Sequence, residues 1–156
     1  MLKLLAILGV PVILLLCVLN KNKRAKAWIT HSTCDIRGYV LFESYNFNNT
    51  LVSMYLTNVP PGLHGVHIHK SSDLTQGCNS TCSHYNPTNN VHGGPQGKNR
   101  HKGDLGNIFA NKTGVSRSKI IADVSLDEII NRTIVIHEHE DDLGKGNNEE
   151  SLKTGN

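Results

Sequence analysis

Residues 62–69 read GLHGVHIH, and from Gly65 onward small or apolar residues alternate with histidine. Alternation with a period of two indicates a β-strand with two different faces. His67 and His69 are two positions apart, so both imidazoles leave the same face of that strand. Imidazole is the commonest side-chain ligand for metals, and the pair is therefore a candidate metal site. Alone, such a pair is a weak signal, and its interpretation depends on the rest of the chain.

The segments on either side of this strand indicate an all-β fold. β-Branched and aromatic residues recur in five short stretches that we predict to be strands, namely residues 36–43, 50–57, 105–111, 115–124 and 133–137. Residues 70–104 and 138–156 have no period and consist mainly of polar and turn-forming residues. Long loops in a compact domain are usually functional. Short strands without a long amphipathic helix predict a Greek-key antiparallel β-sandwich or β-barrel with two long loops.

The composition fits one folded domain that does not bind nucleic acid. The chain has 156 residues, of which 38% are hydrophobic and 19% charged, so wholesale disorder is excluded. Its net charge of +3 is unevenly distributed, because five of the 16 basic residues lie within residues 1–26 and no acidic residue does. The rest of the chain holds 11 basic and 13 acidic residues, a net charge of −2. A globular part of that charge argues against nucleic acid as the partner.

The N-terminal segment, residues 1–27, differs in character from the rest of the chain. Leu4 to Leu19 carries no charge, but the run is shorter than the roughly 20 residues that a membrane-spanning helix needs. It fits the apolar region of a signal peptide, and Ala25-Lys26-Ala27 resembles a cleavage site. A membrane anchor is the alternative, because the basic cluster from Lys21 to Lys26 could hold the following chain in the cytoplasm. We predict a signal peptide or anchor in residues 1–27 and one domain in residues 28–156.

These features predict entry into the secretory route. The protein would then be extracellular or membrane-anchored, with membrane contact possible through residues 4–19; a cytoplasmic location is the alternative. Four N-x-S/T patterns suit export, and they begin at Asn48, Asn79, Asn111 and Asn131.

Further potential ligands follow the first histidine pair. His84, His92 and His101 lie in the first long loop, Asp104 follows at its end, and His137 ends a later strand. A loop that folds around metal has this arrangement, because the metal replaces the core that the loop lacks. Solvated loop histidines would explain two or three of these residues, but not the whole set.

At this point the sequence resembles the copper–zinc superoxide dismutase family. The resemblance covers most of residues 36–156. It rests on GLHGVHIH at 62–69, GCNSTCSHYNP at 77–87, HGGP at 92–95, RHKGDLGNIFANKTG at 100–114 and RTIVIHEHEDDLGKGNNEESLKTGN at 132–156. The family fold is a Greek-key β-barrel or sandwich, which agrees with the strand pattern.

The resemblance implies two metal sites that share one histidine. The implied copper ligands are His67, His69, His84 and His137, and the implied zinc ligands are His84, His92, His101 and Asp104. Four imidazoles suit Cu(II), whereas three nitrogens and one carboxylate suit tetrahedral Zn(II). Asp141 matches the family carboxylate that bonds one ligand from each site, His67 and His92, and so orients their rings.

The implied reaction converts superoxide to dioxygen and hydrogen peroxide. Copper is the redox centre, and His84 would deliver a proton as its contact with copper breaks and re-forms. Glu150 and Lys153 match the polar rim of the substrate channel, where a lysine helps to attract the superoxide anion; electrostatic steering of the substrate is a known property of this enzyme class.

The sequence departs from the family pattern after residue 156. The family continues with an arginine beside copper, a cysteine that forms the intrasubunit disulfide, and a last strand. We therefore expect reduced activity, because a guanidinium offers forked hydrogen bonds that a lysine cannot copy. The sequence leaves the choice between monomer and homodimer open, since family dimers use the neighbourhood of that strand.

The cysteines leave the disulfide pairing open. Cys78 matches the family's loop cysteine, and Cys34 or Cys82 could be its partner in an oxidising compartment. Cys34 is favoured, because pairing it with Cys78 would constrain more of the unfolded chain.

Two functions are therefore consistent with the sequence. The first is an active copper–zinc superoxide dismutase. The alternative is a non-enzymatic, dismutase-like copper- and zinc-binding protein that acts as a metal sink or as a decoy for a copper-delivery partner. The complete ligand set favours the enzyme, and the absent arginine and strand favour the alternative.

Overall fold

A computed structural model describes residues 23–29 and 35–155 of the protein. They form seven strands: β1 (Arg24–Trp28), β2 (Arg37–Ser44), β3 (Thr50–Thr57), β4 (Gly62–His69), β5 (Asp104–Ala110), β6 (Ser116–Ala122) and β7 (Thr133–Ile136). Two four-residue helices, α1 (Leu126–Ile129) and α2 (Ser151–Thr154), and a 3-10 helix (Gly77–Thr81) complete the secondary structure. Within this part of the chain no helix is long and apolar enough to cross a membrane. The apolar run from Leu4 to Leu19 lies outside the described residues.

The strands form two antiparallel sheets that pack as a sandwich. One sheet has the order β1-β2-β3-β6 and the other the order β5-β4-β7. The chain crosses between the sheets after β3, after β5 and after β6, as Greek-key connections do. The predicted all-β Greek-key fold is confirmed as a sandwich; in the described residues the two sheets do not close into a barrel.

The core lies between the sheets and follows from strand alternation. In the first sheet Val40 of β2 pairs with Met54 of β3 and Phe42 pairs with Val52; these four residues and Leu56 of β3 are all buried. Other members of the cluster come from the second sheet and from the segment around α1, among them Val66, Ile68, Leu105, Ile108, Val124, Leu126 and Ile129. Alternate positions on each strand face the core, and this confirms the period-two interpretation.

Strand β4 is buried on both faces. Val66 and Ile68 belong to the hydrophobic core, whereas His67 and His69 point to the opposite side and are still only 1% and 8% exposed. The pairing of β4 with β5 shifts register between Gly65 and His67. The extra residue is on β5, where Gly106 adopts the left-handed conformation with φ 79° that a bulge of this kind requires. The long loops therefore cover the histidine face.

Strand β1 was not predicted, and it lies across the boundary predicted at residue 27. Its sequence, RAKAW, alternates charged or aromatic residues with alanine, which is a poor strand former. The strand is held by full antiparallel pairing with β2. Lys26 lies 4.0 Å from the ring centre of Trp28 and 4.1 Å from that of Tyr39, at the distance of a cation–π contact. Cross-strand contacts thus replace the missing propensity.

Candidate metal centre

The first group of ligand atoms comes from β4, the long loop and the end of β7. His67, His69, His84 and His137 each offer one nitrogen, and all four nitrogens lie within 4.8 Å of one another. The Nδ1 of His67 is 2.9 Å from the Nε2 of His137. Three members are buried and His137 is half-buried, so this group borders the solvent. It contains the four residues that the resemblance implied for copper.

His69 shows why this group fits a metal. Its Nδ1 lies 2.7 Å from the carbonyl oxygen of Cys82 and 2.9 Å from the hydroxyl of Thr81. A carbonyl can only accept, so Nδ1 carries the proton and Nε2 has a free lone pair. That Nε2 is buried and has no hydrogen-bond partner among residues 23–29 and 35–155. A buried, unpartnered lone pair is costly unless an ion binds it.

The second group surrounds the carboxylate of Asp104. Its Oδ1 lies 2.9 Å from the Nδ1 of His84, 3.1 Å from that of His92 and 3.2 Å from that of His101. Its Oδ2 accepts hydrogen bonds from the backbone N–H groups of Gly93 and His101. The backbone therefore fixes one oxygen, and the other faces three imidazole nitrogens. Three nitrogens and one carboxylate oxygen are a donor set for zinc.

Either His67 or His101 could be the fourth ligand in this second group, beside His84, His92 and Asp104. A set of four ligand atoms that all lie within 4.8 Å of one another contains His67, His84, His92 and Asp104, all buried. His101, which the sequence places among the zinc ligands, lies beside the same carboxylate and 3.4 Å from the Nδ1 of His84. Because His67 belongs to both tight sets with His84, the two groups form one continuous cluster. The assignment of individual residues to copper or zinc stays a prediction.

His84 joins the two groups. Its Nδ1 faces Asp104, and its ring lies against that of His67, with the two ring centres 3.9 Å apart. The ring is buried. His84 belongs to both sets of potential ligands. A bridging role would need one of its nitrogens in each group.

Asp141 lies behind the cluster and contacts one ring from each half. Its Oδ2 is 2.8 Å from the Nε2 of His67, and its Oδ1 is 2.8 Å from the Nε2 of His92. Both contacts leave the Nδ1 atoms of these rings to face the cluster. The backbone of Asp141 is fixed in turn by Asn107, whose side chain accepts from its N–H and donates to its carbonyl at 2.8 Å each. Sequence reasoning missed Asn107, because a strand asparagine carries no metal signal.

Burial and neighbouring charges shift the pKa values of the side chains in the cluster. Burial, with the neighbouring histidines, lowers the pKa of His84 to about 4 and that of His137 to about 3. Burial opposes protonation of His92 as well, but Asp104 and Asp141 outweigh it and raise its pKa to about 9. Hydrogen bonds from the surrounding histidines overcome burial and hold the pKa of both carboxyl groups well below the usual range. These pKa values favour neutral imidazoles at His84 and His137. They favour a positive charge at His92, between the carboxylates of Asp104 and Asp141.

A proton on His92 does not fully satisfy the neighbouring carboxylate of Asp104. Its Nδ1 lies 3.1 Å from Asp104, yet it makes no hydrogen bond to that carboxylate or to any other group in the described part of the chain. A metal ion between the nitrogen and the carboxylate would bind both lone pairs. The residues present therefore fit a bound cation.

Helix α2 lies over the buried end of the cluster. The backbone N–H of His92 donates to the carbonyl of Leu152 at 2.8 Å. Gly155 ends the helix with φ 82°, and a Cβ there would come within 3 Å of Asp141 and His92. Lys153 is 61% exposed and lies 3.5 Å from Glu149 and 3.9 Å from Glu150. Lys153 thus belongs to the charged surface near the cluster rather than to its interior.

Of the two pairings left open for Cys78, the one with Cys82 is not formed. Both residues are exposed, lie at the two ends of the 3-10 helix, and form no disulfide within the described residues. Cys34, the favoured partner of Cys78, lies outside the described residues, as does Cys17.

The comparisons with known proteins agree with this fold and cluster. The family model for copper/zinc superoxide dismutase matches residues 36–156. The chain belongs to that family, and the resemblance drawn from its motifs is confirmed. A solved structure described as that of the clock protein EA4 matches with a TM-score of 0.81 and 41% identity, over 87% of this chain and 88% of that one.

The shifted pKa values predict a pH optimum for the stability of the metal-free protein. His84 and His137 have lower pKa values in the folded state than a free histidine, whose pKa is about 6.5. The unfolded chain binds more protons below pH 6.5, so the free energy of unfolding should fall as the pH drops from about 6.5 to about 4. His92 has the opposite shift, and its contribution should be lost as the pH rises from 6.5 through about 9.

Urea unfolding of metal-free protein across this range measures both effects. The acid loss should be smaller in His137→Ala, because one of the two groups with a lowered pKa is gone. A free energy of unfolding that stays constant from pH 6.5 to 4 would contradict the buried, neutral state of these histidines.

Proposed function

We propose that this protein is a superoxide dismutase. It would hold copper in the first group of ligands, the half-open group that ends at His137, and zinc in the second group around Asp104, which is closed. The supporting observation is the asymmetry of the cluster. The group of His67, His69, His84 and His137 borders the solvent at His137, whereas the group around Asp104 is buried throughout. Catalytic metal sites keep an open side and structural sites are closed.

The donor atoms support this division of metals. Four imidazole nitrogens suit Cu(II), and a mixed set with a carboxylate suits Zn(II). When bound, copper supplies the one-electron chemistry that oxidises one superoxide to dioxygen and reduces a second to hydrogen peroxide. Zinc would supply structure and positive charge. The fixed tautomers of His67, His69 and His92 prepare the protein for both ions, because each ring already directs its other nitrogen to a hydrogen-bond acceptor.

The residues of the chain would bind, orient and protonate the reactants. His84 belongs to both groups and its Nδ1 faces Asp104, so its Nε2 would carry a proton to the reduced oxygen species. Asp141 prevents His67 and His92 from rotating. Strand β4 and the loop over it exclude water from the closed group, since His92 and Asp104 are 2% and 1% exposed.

The alternative is a metal-binding protein without catalytic activity. The matching structure at 41% identity is described as a clock protein, which is not the name of an enzyme. A protein that only holds metals would need the same ligands and the same Asp141. Activity of the metal-loaded protein is therefore the discriminating measurement.

Replacing His137 should abolish that activity. We expect copper- and zinc-loaded protein to consume superoxide well above the rate of free copper, and His137→Ala to fall to the background, because the open group loses its solvent-side ligand. His139→Ala is the matched control: His139 is exposed, two residues away, and contacts Gly65 only through its backbone carbonyl. Equal rates for His137→Ala and wild type would favour the metal-binding alternative.

Lys153 should accelerate capture of the anionic substrate. We expect Lys153→Glu to lower kcat/KM about three- to tenfold at low ionic strength, since steering depends on local charge. The difference should shrink as salt is added. Lys119→Glu makes the same change in net charge at an exposed position of β6. That strand belongs to the sheet that does not contain the histidine strand β4, so this substitution should have little effect. Equal losses in both variants would show that net charge, and not the position of Lys153, sets the rate.

A further inference from the structure

The starting point is the carboxylate of Glu128 in the short helix α1. Glu128 closes a capping box with Ser125, whose side chain caps the helix. The Oε2 atom of Glu128 accepts from the backbone N–H of Ser125 at 3.1 Å and from its hydroxyl at 2.8 Å. A capping box needs no more than this from its glutamate. The second carboxylate oxygen is therefore available for other contacts.

That second oxygen holds two residues of the metal-binding loop. Oε1 accepts from the hydroxyl of Tyr85 at 3.1 Å and from the Nζ of Lys102 at 2.6 Å. Tyr85 directly follows His84, and Lys102 directly follows His101. Burial alone would raise the pKa of Glu128, but these contacts and those with Ser125 lower it to about 2, so the carboxylate is ionised at neutral pH. One helix thus connects both ligand segments.

A second contact fixes the same tyrosine from its ring face. The guanidinium of Arg132 lies 3.8 Å from the ring centre of Tyr85, which is within cation–π range. Arg132 also donates to the backbone carbonyls of Glu128 and Lys70, at 2.7 Å and 2.8 Å. Tyr85 is consequently held at its hydroxyl and at its ring.

Backbone hydrogen bonds transmit this constraint to the ligands. The N–H of Tyr85 donates to the carbonyl of Ile68 at 2.7 Å, and the N–H of Gly103 donates to the carbonyl of Tyr85 at 2.8 Å. Ile68 lies between His67 and His69, and Gly103 lies between Lys102 and Asp104. A displacement of Tyr85 would therefore move segments that carry ligands of both groups.

We propose that Glu128 is a positioning residue that holds His84 and His101 in place for zinc, an inference that rests on the two-metal site proposed above. The first long loop has no core of its own, so its ordering must be supported from outside or by the metal. Support from the protein before metal binds lowers the ordering cost that binding must meet, and so raises affinity.

Zinc affinity, measured by competition with a chelator, tests the proposal without reference to activity. Residues that bond a metal ligand directly affect affinity about 10- to 100-fold; Glu128 acts one residue further away, so we expect Glu128→Gln to weaken zinc binding about five- to tenfold. Tyr85→Phe and Lys102→Met remove one contact each, leave the capping box intact, and should each have a smaller effect. Asp127→Asn is the matched control, since Asp127 is in the same helix but its ion pair is with the exposed Lys23.

A double-substitution cycle and a spectroscopic probe separate positioning from general stability. The double variant should lose less zinc affinity than the product of the fold-losses in Glu128→Gln and Tyr85→Phe, because both substitutions remove the same contact. The visible spectrum of Co(II) in the zinc site should change in Glu128→Gln and not in Asp127→Asn. Ser125→Ala should lower thermal stability through the helix cap while changing zinc affinity less than Glu128→Gln does.

The outcomes distinguish this inference from the proposed function. Folded Glu128→Gln protein whose zinc affinity is within twofold of wild type would overturn the inference, and so would losses that combine independently with those of Tyr85→Phe. If the wild-type protein binds zinc with the predicted dependence on Glu128 but does not consume superoxide, the positioning role stands and the dismutase proposal fails. Active wild-type protein with unchanged zinc affinity in Glu128→Gln, Tyr85→Phe and Lys102→Met gives the reverse result.

Discussion

The carboxylate of Asp141 accepts a hydrogen bond from His67 on one oxygen and from His92 on the other, both at 2.8 Å. These two contacts determine which nitrogen of each ring faces the metal cluster. A buried carboxylate is costly unless it is fully bonded, and Asp141 meets that condition through the two histidines and the N–H of Leu143. Asn107 on β5 fixes its backbone, so the second sheet and the C-terminal loop are joined at this residue. A single side chain thus couples both halves of the cluster to the sandwich.

The fold serves the cluster because strand β4 has two buried faces. Its apolar residues complete the core between the sheets, and its histidines form the floor of the metal site. The loop that covers this floor has little apolar material, and it is held by polar contacts instead, from Asp104, Cys82 and Glu128. Such contacts are most effective when they are complete, since a partly satisfied buried network is destabilising. Within the described residues, the unpartnered nitrogens of His69 and His92 are the points of this network at which a cation can bind.

Much of the fold and of the cluster can be predicted from the sequence, and the features that cannot have physical reasons. The period-two pattern at residues 65–69 placed His67 and His69 on one face, and the other predicted strands agree with the observed ones to within a few residues. Strand β1 escaped prediction because its stability comes from pairing with β2 and from the contacts of Lys26 with aromatic rings. Asn107 and Glu128 escaped because their partners are 34 and 43 residues away in the chain, and no local pattern marks such contacts. The less favoured pairing, Cys78 with Cys82, is not formed, because spacing alone does not determine whether two thiols meet; the favoured pairing with Cys34 stays a prediction.

The central claim is that one buried histidine connects two different metal ions. Crystals of copper- and zinc-loaded protein, with anomalous diffraction recorded at the absorption edges of both metals, test this claim most directly. The account predicts a copper peak among His67, His69, His84 and His137, a zinc peak among His84, His92, His101 and Asp104, and the ring of His84 between them. A single peak, two peaks of the same metal under balanced loading, or a zinc ion bound by His67 in place of His101 would contradict it.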